Sequence, residues 1–156
     1  KIRGLPPIKE ASVSEFHSVF LAKTGDVYTV GQGTEGQLGL GDFESHQNVK
    51  RVPISFKAIS VSAGQSFTLI LSDQGDVYSF GSGVRGELGY VSFSRQNTVR
   101  KLTLQEKIKK ISSGTFHSFL LSDSGKVYPF GRGDNGKLGL GHKDDKTARD
   151  IIKESQ

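Results

Sequence analysis

The stretch SGTFHSFLLSDSGKVYPFGRGDNGKLG, residues 113–139, decides the fold because it is the third copy of a pattern that recurs every 50 residues. Each copy contains a Gly-x-Val-Tyr motif, which begins at Gly25, Gly75 and Gly125. A fixed period of this kind is typical of solenoids and propellers. The sequence therefore predicts a single domain of three units, residues 1–50, 51–100 and 101–150, with 151–156 as the start of a truncated fourth unit or a tail.

Each unit has the pattern of short β-strands joined by tight turns. Residues 19–21, 68–71 and 118–121 are apolar runs bounded by turn residues, which is typical of a strand buried on both faces. A glycine-containing turn and a second strand follow each run, as in a hairpin. Two more apolar segments, around residues 49–54 and 58–61 in the first full copy, bring the count to about four strands. Four antiparallel strands per repeat predict an all-β fold, a partial β-propeller of three blade-like repeats.

The stretch at residues 113–139 resembles the repeat of the regulator of chromosome condensation family, and the resemblance covers all three units. It implies a propeller fold in which seven blades generally close the ring. The founding member's activity implies one function, guanine nucleotide exchange on a Ran-type small GTPase with chromatin association. The first unit, from Phe16 to Asp42, also resembles the three-repeat segment of inhibitors of Bruton's tyrosine kinase, which implies binding and inhibition of a signalling tyrosine kinase.

The composition excludes several classes of protein. The chain has 156 residues and no cysteine, which excludes disulfides, thiolate zinc sites and a cysteine nucleophile. No stretch approaches the about 20 apolar residues of a membrane span, and residues 1–10 lack the apolar core of a secretion signal. These features predict a soluble protein without a membrane partner, located in the cytoplasm or alternatively in the nucleus.

A glycine motif at Gly31, Gly33 and Gly36 satisfies the spacing of a dinucleotide-binding fingerprint. Such a site needs a helix after the glycines and an acidic residue about 20 positions further on for the ribose. Neither context follows here, and the same spacing recurs in the other two units at the 50-residue period. The motif is therefore interpreted as blade geometry, and no cofactor or small-molecule substrate is predicted.

Two histidines, His17 and His117, occupy the same position in the first and third units. The second unit has Phe67 there, so the position accepts an apolar ring, and no third metal ligand lies nearby in sequence. Asp73 and Asp123 have the spacing of turn formers rather than of a paired-carboxylate site. The histidines are therefore predicted to be hydrogen-bonded structural residues. No catalytic residue and no metal site are predicted, and the chain is expected not to be an enzyme.

Basic residues recur at related positions and give the chain a formal net charge of +5. The candidate partner-binding stripe consists of Lys1, Lys50, Arg51, Arg100, Lys101, Lys107, Lys109 and Lys110. Such a stripe favours contact with an acidic protein or with nucleic acid. The alternative interpretation is a solvated edge that blocks sheet-to-sheet aggregation.

Three repeats do not complete a propeller ring of the usual four to eight blades. The chain is then part of a larger protein, an open arc with protected ends, or one member of a ring built from several chains. The leading hypothesis is a non-catalytic protein-interaction module that binds and inhibits a signalling tyrosine kinase. The alternatives are the exchange factor named above and a structural or assembly domain of a larger protein.

Overall fold

The short apolar runs and their glycine turns form strands of five or six residues in a computed structural model that describes residues 1–90 and 92–144. The strands in this part of the chain are β1 Ile8–Val13, β2 His17–Ala22, β3 Val27–Gly31, β4 His46–Arg51, β5 Ala58–Ala63, β6 Phe67–Ser72, β7 Val77–Gly81, β8 Gln96–Lys101, β9 Ile108–Ser113, β10 His117–Ser122 and β11 Val127–Gly131. A single turn of 3₁₀ helix, Asp134–Gly136, follows β11.

The strands form three antiparallel sheets, one for each repeat. Their strand orders are β1-β2-β3-β4, β5-β6-β7-β8 and, within the described residues, β9-β10-β11. The predicted all-β partial propeller is therefore confirmed, with three described strands in the third sheet. Each sheet starts seven residues into its predicted unit, at Ile8, Ala58 and Ile108. The unit boundaries stay a prediction, and residues 151–156 lie outside the described part of the chain.

The turn between the second and third strand of each sheet depends on glycine. Gly25, Gly75 and Gly125 have φ angles of +92°, +76° and +90°, a region in which other residues are strained. The backbone N–H of Gly25 donates to the carbonyl of Ala22 at 3.0 Å, and the same bond recurs in the other two units. The prediction of a glycine-containing turn after each apolar run is confirmed.

The hydrophobic core lies between the sheets, which pack face to face. One cluster joins the first sheet to the second and includes Val19, Leu21, Val27, Ile70 and Phe80. Another joins the second sheet to the third and includes Leu69, Leu71, Val77, Leu120 and Phe130. The middle sheet therefore places one set of alternating residues on the first sheet and the other set on the third.

The prediction of strands buried on both faces is correct for the middle sheet and wrong for the outer two. All six residues of β6 are buried, whereas β2 and β10 alternate between buried and half-buried residues. The reason is that, within residues 1–90 and 92–144, the middle sheet has a neighbouring sheet on each side and each outer sheet has one.

The first strands of the sheets, β1, β5 and β9, lie next to one another and form the inner edge of the arc. The fourth strands, β4 and β8, form the outer edge. None of the described residues belongs to a helix of the length and apolar character that crossing a membrane requires.

Candidate protein-binding surface

The antiparallel strands place the connecting segments on two opposite faces of the arc. The loop face carries the turns before β2, β6 and β10 and the glycine-rich loops after β3, β7 and β11. The turn face carries the glycine turns after β2, β6 and β10 and the segments that lead into β5 and β9. Both faces carry ion pairs, and the loop face in addition exposes large apolar side chains.

Three residues of the predicted basic stripe form ion pairs on the turn face. Nη2 of Arg51 lies 2.6 Å from Oδ1 of Asp26, and Nζ of Lys101 lies 2.8 Å from Oδ2 of Asp76. Lys107 reaches the other oxygen of Asp76, also at 2.8 Å. The hydrogen bond from Arg51 lowers the pKa of Asp26, and hydrogen bonds from Lys101 and then Lys107 lower the pKa of Asp76. Part of the positive charge of the predicted stripe is therefore paired with Asp26 and Asp76 of the same chain.

The other five basic residues are spread over the arc. Lys50 and Arg100 lie on the outer-edge strands β4 and β8, where the Arg100 guanidinium stacks on the ring of Tyr90 at 4.4 Å. Lys109 and Lys110 lie on β9 at the inner edge, and Lys1 is exposed before β1. The structure thus brings Lys101 and Lys107 together on Asp76, whereas Lys109 and Lys110 lie on strand β9. A role for these residues in binding stays a prediction.

The loop face exposes a set of large apolar side chains that the sequence analysis did not single out. The loop-face patch consists of Phe16, Phe43, Val84 and Phe93, of which Val84 is 55% and Phe93 57% exposed. The sequence signal for Phe43, Val84 and Phe93 is an apolar side chain inside a glycine-rich loop, where no strand periodicity demands one, and Phe16 lies in the short turn before β2. Large apolar side chains exposed on one face of a domain are candidate anchors for an interaction site.

Arginine side chains cover aromatic rings at this patch. The guanidinium of Arg95 lies 4.9 Å from the ring centre of Phe43, and that of Arg132 lies 5.6 Å from the ring centre of Phe116. Nη1 of Arg95 also donates to the carbonyl of Thr34 at 3.1 Å, which ties the loops of the first and second sheets together. Arginine and aromatic side chains are the residue types that dominate protein interfaces.

Two concave regions adjoin the patch. An open groove of about 650 Å³ lies beside Phe16 and is lined by Gln32 and His46 among others. A smaller one of about 260 Å³ lies where the turns of the three sheets converge, around Glu15, Gln65 and Thr115. There the side-chain amide of Gln65 donates to Oε2 of Glu15 at 2.7 Å. The side chains of a partner could insert into these two grooves.

The predicted hydrogen bonding of His17 is confirmed. Its ring is buried, with Nδ1 2.9 Å from Oγ of Ser14 and Nε2 2.8 Å from Oγ1 of Thr68 in the second sheet. Because the Thr68 hydroxyl donates its proton to the carbonyl of Gln37, Nε2 of His17 is the donor in the second bond. Burial lowers the pKa of His17 to about 4, so the ring is neutral near pH 7.

His117 has a different environment although it occupies the same repeat position. Its Nδ1 atom is buried and has no hydrogen-bond partner within the described residues, because Gly114 stands where the first unit has Ser14. Burial is also the main cause that lowers the pKa of His117. The two histidines therefore share a repeat position but differ in the hydrogen bonding of Nδ1 within the described residues.

The buried carboxylate of Glu87 closes a loop turn. Its Oε2 accepts a hydrogen bond from the backbone N–H of Arg85 at 2.6 Å. In the first unit the equivalent acceptor is uncharged: Oε1 of the Gln37 amide accepts a hydrogen bond from the backbone N–H of Glu35 at 2.9 Å. Burial raises the pKa of Glu87. Across residues 1–90 and 92–144, no three His, Asp or Glu side chains are grouped in a way that could hold a metal ion.

Comparison with known proteins agrees with this architecture. Models of the regulator of chromosome condensation (RCC1) repeat match residues 24–71 and 74–121, and a second model of the same repeat matches residues 8–37, 58–87 and 108–137. The chain belongs to the RCC1 repeat family. The family resemblance expected from the sequence is thereby confirmed, and the 50-residue period is that of RCC1 repeats.

Solved RCC1 propellers resemble the whole arc. Yeast RCC1 (Prp20), in a structure bound to Kap60, is 27% identical with a TM-score of 0.83. The match covers 93% of this chain and 36% of yeast RCC1. Prp20p from Saccharomyces cerevisiae, in a structure described with its binding to Gsp1p and histones, is 28% identical with a TM-score of 0.81. That match covers 93% of this chain and 38% of Prp20p. Human WBSCR16, at 24% identity and a TM-score of 0.84, shares the fold.

Curated relatives match a shorter segment. The inhibitor of Bruton tyrosine kinase from Homo sapiens is 54% identical over 35 residues, which is 22% of this chain and 3% of the relative. The Xenopus laevis protein of the same name gives the same identity over the same length. The chain thus spans a small part of these relatives and 36% of yeast RCC1.

Proposed function

We propose that this chain is a non-catalytic protein-binding module that docks a partner through its loop face. The observation that carries the proposal is the loop-face patch of Phe16, Phe43, Val84 and Phe93, together with the arginine over Phe43. Few aromatic and arginine anchors supply most of the affinity of a typical protein interface. The RCC1 repeats beneath the patch form a rigid support, since each sheet is packed on its neighbour.

The partner that we propose is a signalling tyrosine kinase, which the module holds in a suppressed state. The support for this choice is the 54% identity over 35 residues to inhibitors of Bruton tyrosine kinase. Cytoplasmic tyrosine kinases would place the encounter in the cytoplasm. Inhibition in this form needs no catalytic group from the module, because an occupied surface on the kinase is sufficient.

The experiment is a calorimetric titration of the chain into the catalytic domain of Bruton tyrosine kinase, combined with a kinase activity assay. The double variant Phe43→Ala with Phe93→Ala should weaken binding at least about tenfold, as expected for the loss of interface anchors. Both side chains are exposed, so the free energy of unfolding should change by less than about 1 kcal/mol.

Ile2→Ala is the matched control, because Ile2 is an exposed apolar residue before β1 and outside the loop-face patch. It should bind like the unchanged chain. A variant without the basic pair, Lys101→Ala with Lys107→Ala, tests the predicted stripe on the turn face. Loss of binding in that variant alone would overturn the loop-face proposal and favour the basic surface.

A second candidate function is nucleotide exchange on a Ran-type GTPase with association to chromatin. It is favoured by the likeness to yeast Prp20p, whose structure is described with binding to Gsp1p and histones. Exchange predicts faster release of labelled GDP from the GTPase when the chain is added. Chromatin binding predicts an affinity for nucleosomes that falls steeply with salt as counterions return to the DNA. A chain that serves only as a structural domain would give none of these results.

A further inference from the structure

The smaller groove of the loop face, which we call the inner groove, lies where one turn from each sheet meets. The three turns are residues 14–16, 64–66 and 114–116, which precede β2, β6 and β10. Gln65 joins the other two turns, since its backbone N–H donates to the carbonyl of Thr115 at 3.2 Å and its side-chain amide donates to Glu15. Gln65 lines the groove although a sheet packs on each side of its own, so the packing of sheets leaves this position open.

The lining of the inner groove is rich in hydrogen-bond acceptors. Its polar side chains are those of Ser14, Glu15, Gln65, Ser113 and Thr115. Among the described residues that line the groove, Glu15 alone is charged. Because the amide nitrogen of Gln65 donates to Glu15, the amide oxygen Oε1 remains as an acceptor, and serine and threonine hydroxyls also accept. The groove thus combines one negative charge with several uncharged acceptors.

The carboxylate of Glu15 is not neutralised by a neighbouring cation. Its side chain is exposed and forms no ion pair within residues 1–90 and 92–144, and Gln65, which bonds to its Oε2, is uncharged. On the turn face, by contrast, Asp26, Asp76 and Glu106 each pair with arginine or lysine at 2.5 to 2.8 Å. In a chain with a formal net charge of +5, the inner groove therefore keeps a full negative charge.

The Ser113 hydroxyl is a second sign that the inner groove accepts a polar group. Its Oγ atom is buried and has no hydrogen-bond partner within the described residues. Val13 and Ala63 occupy the same repeat position, so apolar side chains are sufficient there in the other two units. A buried hydroxyl without a partner is unfavourable, and a donor from a bound group would satisfy it.

A guanidinium group has the chemistry that complements this lining. It is positively charged and carries five N–H donors and no acceptor, so it can bond to Glu15 and to uncharged acceptors on separate turns at once. An anionic group would instead be repelled by Glu15. The groove measures about 260 Å³, whereas sites for small-molecule ligands usually measure about 300 to 1,000 Å³. Its size therefore suits one side chain of a protein better than a free ligand.

We propose that the inner groove receives an arginine side chain of the protein that docks on the loop face. This inference rests on the proposed docking function and adds a charged contact to it. Phe16 of the loop-face patch directly follows Glu15 in the chain, so the arginine would enter beside the apolar anchors. Complementary charges of this kind fix the orientation in which two proteins meet.

The first experiment is an NMR titration of the isotope-labelled chain with N-acetyl-arginine-amide. Its matched probe is N-acetyl-citrulline-amide, which has nearly the same shape and no charge. The backbone amide signals of residues 14–16, 64–66 and 113–115 should shift and saturate with the arginine compound. The citrulline compound should bind at least about tenfold more weakly, because a hydrogen bond between two charged groups is stronger than one with a neutral donor.

Two variants test the residues of the groove. Glu15→Gln removes the charge and should weaken binding of the arginine compound at least about tenfold. Glu44→Gln is the matched control, because Glu44 is also exposed on the loop face but lies outside the groove, so this variant should bind like the natural chain. Ser113→Ala should fold, since Ala63 has the same repeat position, and it should bind the arginine compound several times more weakly.

The outcome separates this inference from the proposed partner. Equal binding of the arginine and citrulline compounds, or an unchanged affinity in Glu15→Gln, would contradict an arginine site whether or not the chain binds a kinase. A chain that binds the arginine compound through Glu15 and does not bind the kinase keeps the site and loses the proposed partner. Phe43→Ala with Phe93→Ala should leave the affinity for the arginine compound unchanged, because neither ring lines the inner groove.

Discussion

Replacing the pair Ser14 and His17 by the pair of the second unit, with Ser14→Gly and His17→Phe, should remove an acid sensitivity from the folded protein. Burial lowers the pKa of His17 from its ordinary value of 6.5 to about 4. In the second unit Phe67 fills this position beside Gly64, where an added Cβ would lie 2.0 Å from the ring. The two substitutions therefore belong together, because a phenyl ring needs the space that Ser14 occupies.

Acid lowers the stability of the natural chain because, as pH falls, His17 is protonated in the unfolded state before it is protonated in the folded state. As pH falls from 6.5 towards 4, the unfolded chain takes up a proton at His17 while the folded chain does not, so the free energy of unfolding decreases. With about 1.36 kcal/mol for each pKa unit, the full loss is about 3 kcal/mol. The loss is complete below pH 4, where both states are protonated, and it is absent well above 6.5.

The assay is urea denaturation at a series of pH values between 7 and 4 for the natural chain and the double variant. Carboxylates titrate in both proteins, so the difference between the two curves isolates His17. The natural chain should lose about 3 kcal/mol more than the variant over this range. The single variant His17→Phe should be less stable than the double variant at every pH. If the curves of the natural chain and the double variant run parallel, the titration of His17 does not contribute to the loss of stability.

Three further variants test the packing and the ion pairs. Phe80→Ala should lower the free energy of unfolding by about 3 to 5 kcal/mol in denaturant titrations, because the ring is fully buried between two sheets. Gly39→Ala should cost more than about 1 kcal/mol in the same measurement, since its φ is +67° and the new Cβ would lie 2.7 Å from the Phe80 ring. Asp76→Asn should change stability by less than about 1 kcal/mol at pH 7, because Lys101 and Lys107 reach it from exposed positions; a larger loss contradicts that estimate.

Much of the fold could be predicted because the repeat makes local patterns visible three times. The turn at Gly25 recurs at Gly75 and Gly125, and a glycine between two predicted strands is the residue type expected in such a turn. The replacement of His17 by Phe67 was sufficient to predict a structural histidine. The hydroxyl of Thr68 as its partner was not predictable, because that contact spans 51 residues and depends on how two sheets pack.

The candidate site was predicted less well, for a related reason. The positions of Arg51 and Lys101 on the sequence indicate a basic stripe, and the structure pairs them with Asp26 and Asp76, each 25 residues earlier. Such pairs form across neighbouring strands, so the net charge of a surface depends on strand register as well as on composition. Phe93 and Val84 lie in loops, where no periodicity indicates whether a side chain points outward.

The three units, the strands within them, the glycine turns and the repeat architecture could all be predicted from the residues. These features follow from local rules, since the alternation of side chains and the φ angles of glycine act over a few residues. Which face of each sheet is covered could not be predicted in this way, because it depends on packing between sheets about 50 residues apart in sequence. Val27, Val77 and Val127 are alike in sequence, and only the last is exposed, because a sheet packs on the first two within the described chain and none packs on the third.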